Sequence, residues 1–440
     1  MTTNLWAFLF VLGVLIFVHE LGHFLMARRL GVRVLTFSLG FGPKLLKFTR
    51  GDTEYAISAI PLGGYVKMAG ENPDEARSGR PDEFLSKTKG ERFLVYIMGP
   101  AMNLLLAFIV TAAVLYQGAE TPAYEQEPPV IGTVTANSPG ARAGLQPGDR
   151  VLTVSGREMR TWDQFFIEIG SRAGRDTEIV IDRGGRRETV HVTPDPQTKY
   201  EVGEIGVLPK TRMQIGEVTP GMAAERSGFR RGDIILAVDG KPEAEYQPLI
   251  AYIKSSPNKP LRFSLLRDGT PMEITVTPEG DPGSALIGIR FSPFEFRVIR
   301  PGFVDALRMS LAKNWEWTRL IFRTLAGLFT RETSVRQLMG PVGIAELSGG
   351  AAQLGWTHLF NLMAMISLNL GLLNLMPIPV LDGGHIFIML LEGIARRDFS
   401  VRMKEKMLLA GFVVLMMLMV TVIYNDLMRV QWIERMIPWR

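Results

Sequence analysis

The sequence predicts an α-helical membrane protein with four transmembrane helices, a membrane-associated β-hairpin and two inserted domains of mixed α/β class. Three observations carry that expectation. Apolar runs near 5–30, 93–116, 357–376 and 408–424 are each long enough to cross a bilayer at 1.5 Å per residue. Lys and Arg concentrate in 31–92 and 393–406, which marks both segments as cytoplasmic. Between the second and third runs a stretch is duplicated: Gly132, Gly144, Gly148, Asp149 and Gly156 recur 84 residues later as Gly216, Gly228, Gly232, Asp233 and Gly240.

Composition agrees with this division. The chain of 440 residues is 47% hydrophobic yet 21% charged, so it has both a membrane part and a substantial aqueous part. The net charge of +5 is modest, and no segment resembles a nucleic-acid-binding module. Cys is absent, which excludes disulfides and thiolate metal ligands and fits a bacterial envelope protein. Met1 to Asn4 lack the basic region of a signal peptide, so the first apolar run reads as a retained span with its N-terminus outside.

The first span ends in Val18-His19-Glu20-Leu21-Gly22-His23. His19 and His23 stand one helical turn apart on one face, a spacing that suits two imidazoles on one zinc, and Glu20 is placed to take a proton from water there. Ionisable groups at membrane depth mark function. Catalytic zinc takes a third protein ligand, which here must be another His (His191, His358 or His385) or a carboxylate.

In segment 31–92, alternation at Tyr55, Ile57 and Ala59, a Pro/Gly turn and Tyr65 to Met68 predict a β-hairpin. It reads either as an ordinary cytoplasmic hairpin or as a sheet whose edge pairs with substrate backbone. Residues 70–92 read as a polar loop. The second span carries Gly99 and Ala101, small enough for close helix packing, and Asn103, read as a helix–helix hydrogen bond with a role in the site as the alternative. Residues 117–129 read as a linker rich in Pro and Glu.

The repeats span about 130–210 and 213–296. Ala143-Gly144-Leu145-Gln146-Pro147-Gly148-Asp149 and Ser227-Gly228-Phe229-Arg230-Arg231-Gly232-Asp233, each running on to a strand that ends in Gly, resemble PDZ domains. Ile205-Gly206-Val207 and Ile287-Gly288-Ile289 resemble that family's peptide-carboxylate loop and groove strand, which implies either peptide binding or a spacer or size filter. In 301–330, Phe303, Leu307, Leu311, Trp315, Phe322, Leu325 and Phe329 recur at helical spacing, interleaved with Arg and Lys. That pattern predicts an amphipathic helix on the membrane surface, or one packed on the inserted domains.

The third span, with its motif, covers 357–392 and delivers Asn374-Leu375-Met376-Pro377-Ile378-Pro379-Val380-Leu381-Asp382-Gly383-Gly384-His385. Pro377 and Pro379 end regular helix there. The fourth span is 408–424. Spans one and three bring their motifs to the same cytoplasmic half, and the repeats fall outside.

His19-Glu20-x-x-His23 on a first span, with a distant Asn374-x-x-Pro377-x-Pro379-x-x-Asp382-Gly383, resembles the site-2 protease family of intramembrane zinc metalloproteases over essentially the whole chain. The resemblance implies zinc held by His19, His23 and Asp382, Glu20 as general base, and Asn374 holding substrate or the developing oxyanion. His385 has no role assigned by it and is the rival third ligand. It further implies single-pass transmembrane substrates, such as an anti-sigma factor already trimmed outside, or signal-peptide remnants. The setting it implies is a bacterial inner membrane, with termini and inserted domains periplasmic. A silent peptide-binding scaffold and a metal transporter are the competing readings. The complete set of His19, Glu20, His23 and Asp382 argues against the first, and Glu20 beside the His pair argues against the second.

Overall fold

A computed structural model of the chain describes residues 2–71, 79–197, 202–242, 246–292, 294–330 and 338–428. Residues 72–78 of the expected polar loop and 198–201, 243–245 and 293 of the expected inserted domains lie outside the described residues. The chain divides into two compact units, 1–119 with 300–440, and 120–299.

The first unit is helical apart from one β-hairpin. Its helices are α1 (Thr2–Arg29) and α2 (Lys89–Gly118) before the insertion. The insertion holds α3 (Pro139–Arg142), α4 (Trp162–Gly170), α5 (Ala223–Arg226) and α6 (Tyr246–Lys254). After it come α7 (Phe303–Phe329), α8 (Pro341–Leu354), α9 (Trp356–Asn374), α10 (Asp382–Ala395) and α11 (Val401–Met428). Among the described residues α1, α2, α9 and α11 are long and apolar enough to cross a membrane. In lipid there is little hydrophobic gain from helix association, so close approach of small residues and polar contacts must hold a bundle together. Both are present. A Cβ on Gly22 of α1 would stand 2.4 Å from the Met98 carbonyl oxygen of α2, and one on Gly371 of α9 would stand 3.0 Å from that of Pro100. Ser367 of α9 donates to the Asn103 carbonyl at 2.8 Å. Val11 and Leu15 of α1 meet Leu359 and Met363 of α9 in one buried cluster.

Two buried carboxylates tie down the remaining helices. Glu392 of α10 binds Lys404 of α11 at 2.7 Å and Lys89 of α2 at 3.4 Å, and accepts from the Phe399 amide at 2.9 Å. Asp426, near the end of α11, accepts from the amides of Gly340, Val342 and Gly343 at 3.0–3.1 Å and so caps the N-terminus of α8. The sequence reading did not anticipate α8.

Helix α7 is continuous over Phe303–Phe329 and packs beside α2 through its small and polar face. Ala306, Ser310 and Asn314 turn inward, and Ser310 donates to the Phe108 carbonyl of α2 at 2.8 Å. The Phe303 ring meets Tyr116 edge-on at 6.2 Å, so with Ser310 at Phe108 α7 runs antiparallel beside the second span. Phe303, Leu311, Trp315 and Phe322 are exposed instead. An exposed apolar stripe is what a helix laid on a membrane surface presents, so the expected seating and the contact with α2 use different faces.

The predicted hairpin is also rearranged. Strands β1 (Val34–Arg50) and β2 (Thr53–Met68) turn at Gly51-Asp52 and fold back on themselves. Thr36 to Leu39 lie between two parts of β2, so Phe37 stands beside both Tyr55 and Val66. The stretches 55–59 and 65–68, expected to pair with each other, are therefore separated by β1. Phe37, buried among Phe24, Tyr55 and Val66, is the apolar centre that draws β1 into that place.

The second unit contains the repeat. The first copy is a sheet of 150–154, 157–158, 177–183 and 186–192 with 131–134 and 207–209 paired beside it, and the second repeats the pattern in one sheet. Each encloses its own apolar core, around Trp162, Phe165, Ile179 and Ile181 in one and Ile215, Phe263 and Leu265 in the other. The expected linker 117–129 contains a short strand, Ala119–Pro122, paired with Phe296–Ile299. The copies share one staple. Buried Asp149 takes two bonds from Arg183, at 2.7 and 2.6 Å, and buried Asp233 takes two from Arg267, both at 2.7 Å.

That staple makes the first repeat acid-sensitive. Burial pushes the Asp149 carboxyl up, but the Arg183 guanidinium and the Gln146 amide outweigh it and hold the group below its ordinary 3.8. A group depressed in the folded state stabilises above its unfolded pKa and loses that contribution as pH falls through the folded one. Stability of the first repeat, followed through the fluorescence of buried Trp162, should fall as pH drops below about 4, and Asp149→Asn should flatten that dependence. Arg183→Ala, which leaves a buried carboxylate unpaired, should destabilise the repeat by about 3–5 kcal/mol at neutral pH.

Candidate metal centre

α1 presents His19 and His23 one turn apart, with ring centroids 4.9 Å apart, and α2 fixes each of them from behind. His23 Nδ1 donates to the Val95 carbonyl at 2.8 Å, which leaves the Nε2 lone pair pointing the other way. Gly99 makes this contact geometrically open, since a Cβ there would stand 2.2 Å from His23 Nε2. Asn103 sets its amide 3.3 Å from His19 Nδ1. When His19 Nε2 serves as a donor to a cation, Nδ1 carries the proton, and the Asn103 amide oxygen is the atom that belongs against it. Asn103, read from sequence as a helix–helix contact or a site residue, does both, through its carbonyl and its side chain.

The third group arrives from α10. Residues 375–381 leave α9 in a tight turn in which Pro377 and Pro379 lack amide donors. Val380 is held at φ 91°, a conformation costing a β-branched residue about 1–3 kcal/mol. The paired glycines that follow let α10 fold back over this turn: a Cβ on Gly383 would stand 2.4 Å from the Leu375 carbonyl, and one on Gly384 2.2 Å from that of Ile378. Asp382, the first residue of α10, is thereby delivered to the His pair.

The three donor atoms form a nearly equilateral triangle. His19 Nε2 and His23 Nε2 are 3.3 Å apart, and Asp382 Oδ2 lies 3.2 and 3.4 Å from them. Among the described residues this is the group of His and carboxylate side chains close enough to hold a metal ion. With His23 Nδ1 protonated, the triangle is made of lone pairs facing one another, which calls for a cation at its centre. Zinc–ligand bonds of 2.0–2.2 Å in tetrahedral arrangement put ligands about 3.3–3.5 Å apart, so the residues present fit that ion. Glu20 is buried at the same depth, within electrostatic reach of all three, and stays outside the triangle.

The other expected site residues are placed as follows. His385 is not in the triangle: its ring stacks on Tyr96 of α2. Asn374 is the half-buried last residue of α9 and likewise stands outside the triangle. Sequence reasoning did not single out Gly64, yet a Cβ there would stand 2.8 Å from Glu20 Cγ, so the end of β2 lies directly on the acidic residue. Segment 64–68 pairs with β1 along one edge, and among the described residues its other edge has no strand beside it. In the second unit, Gly206 and Gly288 take positive φ of 69° and 81°. The carbonyls of Ile205 and Ile287 accept from Gly140 and Ala224, and among the described residues the strands from Val207 and Ile289 each pair on one edge alone.

Comparison with known proteins gives the family. The profile of peptidase family M50 matches residues 7–418. The chain is similar to the regulator of sigma E protease of Salmonella typhi, 34% identical over 97% of this chain and 98% of that one. It is likewise similar to the regulator of sigma-E protease of Escherichia coli K12, 34% identical over 98% of this chain and 100% of that one. With two His donors on the first span, a carboxylate from a motif after the third, and a match that runs nearly end to end, the chain belongs to peptidase family M50.

Proposed function

We propose that this chain is an intramembrane zinc endopeptidase that cuts single-pass transmembrane proteins, such as an anti-sigma factor already trimmed outside or a remnant signal peptide, in an envelope stress response. The observation that carries the reading is the triangle of His19, His23 and Asp382 with Glu20 buried beside it and free of it. His19 and His23 would hold the ion through Nε2 and Asp382 through Oδ2. When bound, zinc supplies Lewis acidity toward the attacking water and the scissile carbonyl alike. Glu20 takes the proton from the attacking water and passes it to the leaving amine. A transmembrane substrate must first unwind, because helical carbonyls are hydrogen-bonded and shielded. The open edge of 64–68, lying against Glu20, supports a role in holding the extended form by strand pairing. Asn374, from the motif next to the site, would hold the substrate or the oxyanion.

The two repeats are proposed as PDZ domains on the external side. The positive-φ glycines Gly206 and Gly288 and the open edges of the strands that follow support a peptide groove in each. A size filter that keeps out substrates with bulky external domains is favoured over recruitment. The chain is placed in a bacterial inner membrane, with both termini on the external side.

Cleavage of a panel of single-pass peptides by the purified protein, with and without chelator, tests the central reading. Glu20→Gln should keep its zinc while cleavage falls about 10²–10⁴-fold. His23→Ala and Gly99→Leu should lose zinc and activity together, and Asp382→Asn should weaken zinc binding, all read by metal content in mass spectrometry. Full zinc affinity in Asp382→Asn would exclude it as the third ligand.

Topology can be read on a chain without native Cys. Single substitutions Gly79→Cys and Arg397→Cys should be shielded from an impermeant thiol reagent applied outside, and Gly184→Cys should react. Labelling of Gly79→Cys from outside would overturn the arrangement. Deleting 130–296 should allow cleavage of substrates whose bulky external domains otherwise protect them; unchanged selectivity would rule out the filter.

A further inference from the structure

We infer that His385 is a positioning residue of the metal centre, whose ring, stacked on Tyr96, holds the first turn of α10 and therefore Asp382 in register with α2. The inference rests on the zinc reading above and deepens it.

The observations begin with the ring pair. His385 and Tyr96 have centroids 4.8 Å apart and planes within 2° of parallel, an offset stack. Tyr96 is itself backed by Phe84, edge-on at 5.4 Å, and Phe84 is fully buried. His385 lies three residues beyond Asp382, so the two share one face of the helix. Tyr96 is the neighbour of Val95, whose carbonyl orients His23. Two successive residues of α2 thus serve different donors: Val95 sets an imidazole of α1, and Tyr96 sets the turn of α10 that carries the carboxylate.

Asp382 needs such support. The loop before it has two prolines and the strained Val380, and Leu381, at the cap position of α10, makes no side-chain capping bond. The Glu392 ion pairs fix α10 at a point ten residues further on, about 15 Å away. The paired-glycine contacts tie the first turn of α10 to its own loop, and loop and turn together could still pivot against α2 by the few tenths of an ångström that open the donor triangle. The stack supplies the attachment to α2 at the end where the carboxylate sits. It also accounts for a histidine that faces the site region without ligating: a flat ring is required, and either ring nitrogen is dispensable.

Release of zinc from the full-length protein in detergent to a competing chelator reads this directly. His385→Ala and Tyr96→Leu should each release zinc about tenfold faster than wild type, as loss of a ligand-orienting contact does. The double variant should match the singles, because both remove the same stack. His385→Phe and Tyr96→Phe, which keep the ring and lose the polar atoms, should release zinc at the wild-type rate. Zinc release in His385→Phe as fast as in His385→Ala would show that an imidazole nitrogen is needed, and would overturn the inference. So would a wild-type rate in His385→Ala, or a hundredfold effect in the double variant. A wild-type protein that holds no zinc at all would overturn the metal reading first, and this inference with it.

Discussion

The contact on which the rest depends is the approach of α2 to α1 at Gly22 and Gly99. Side chains at either position would drive into backbone or into an imidazole, at 2.4 Å from the Met98 carbonyl and 2.2 Å from His23 Nε2. Because the helices touch there, a main-chain carbonyl of α2 can accept directly from His23 and Asn103 can reach His19. The second span is thus the reference surface for the metal centre, although it contributes no donor to it. Metal ligands act only when their orientation and tautomer are fixed, and backbone groups of a packed helix fix them more firmly than mobile side chains do.

The helices that carry less of the site are secured differently. α11 buries little of itself: Gly411, which closes on Pro379 of the turn before Asp382, and Asp426, which caps α8. Its start is held through Lys404 by the buried Glu392. Polar contacts at the ends of an otherwise lipid-facing helix locate it without the hydrophobic gain that water would provide. On α7 the small and polar Ser310 and Asn314 turn inward, and Trp315 and Phe322 are exposed.

How much of this was legible in the sequence follows from how local each signal is. His19, Glu20 and His23 declare themselves by spacing within a single turn, and the 84-residue repeat declares itself by offset. Asp382 as the third donor came from resemblance to a family rather than from spacing, since nothing along the chain says that residues 23 and 382 meet. Hidden altogether were arrangements that depend on a partner far away. The fold-back of β1 between two parts of β2 depends on Phe37 finding Phe24 and Tyr55, and local alternation describes a simple hairpin equally well. α8 owes its cap to Asp426, 83 to 86 residues downstream, and carries no capping side chain of its own. The apolar stripe of α7 shows in its spacing, whereas the contact of its small and polar face depends on Phe108, 202 residues upstream of Ser310.

The distance in sequence between the donors has a consequence for biosynthesis. From His23 to Asp382 is 382 − 23 = 359 residues, with the whole inserted unit in between. At a synthesis rate of about 5–20 residues per second, a growing chain spends roughly 20–70 s with its first two donors made and its third not yet translated. Throughout that interval two imidazoles form an incomplete site. Placing the carboxylate late means that the triangle closes only after the inserted unit has been made.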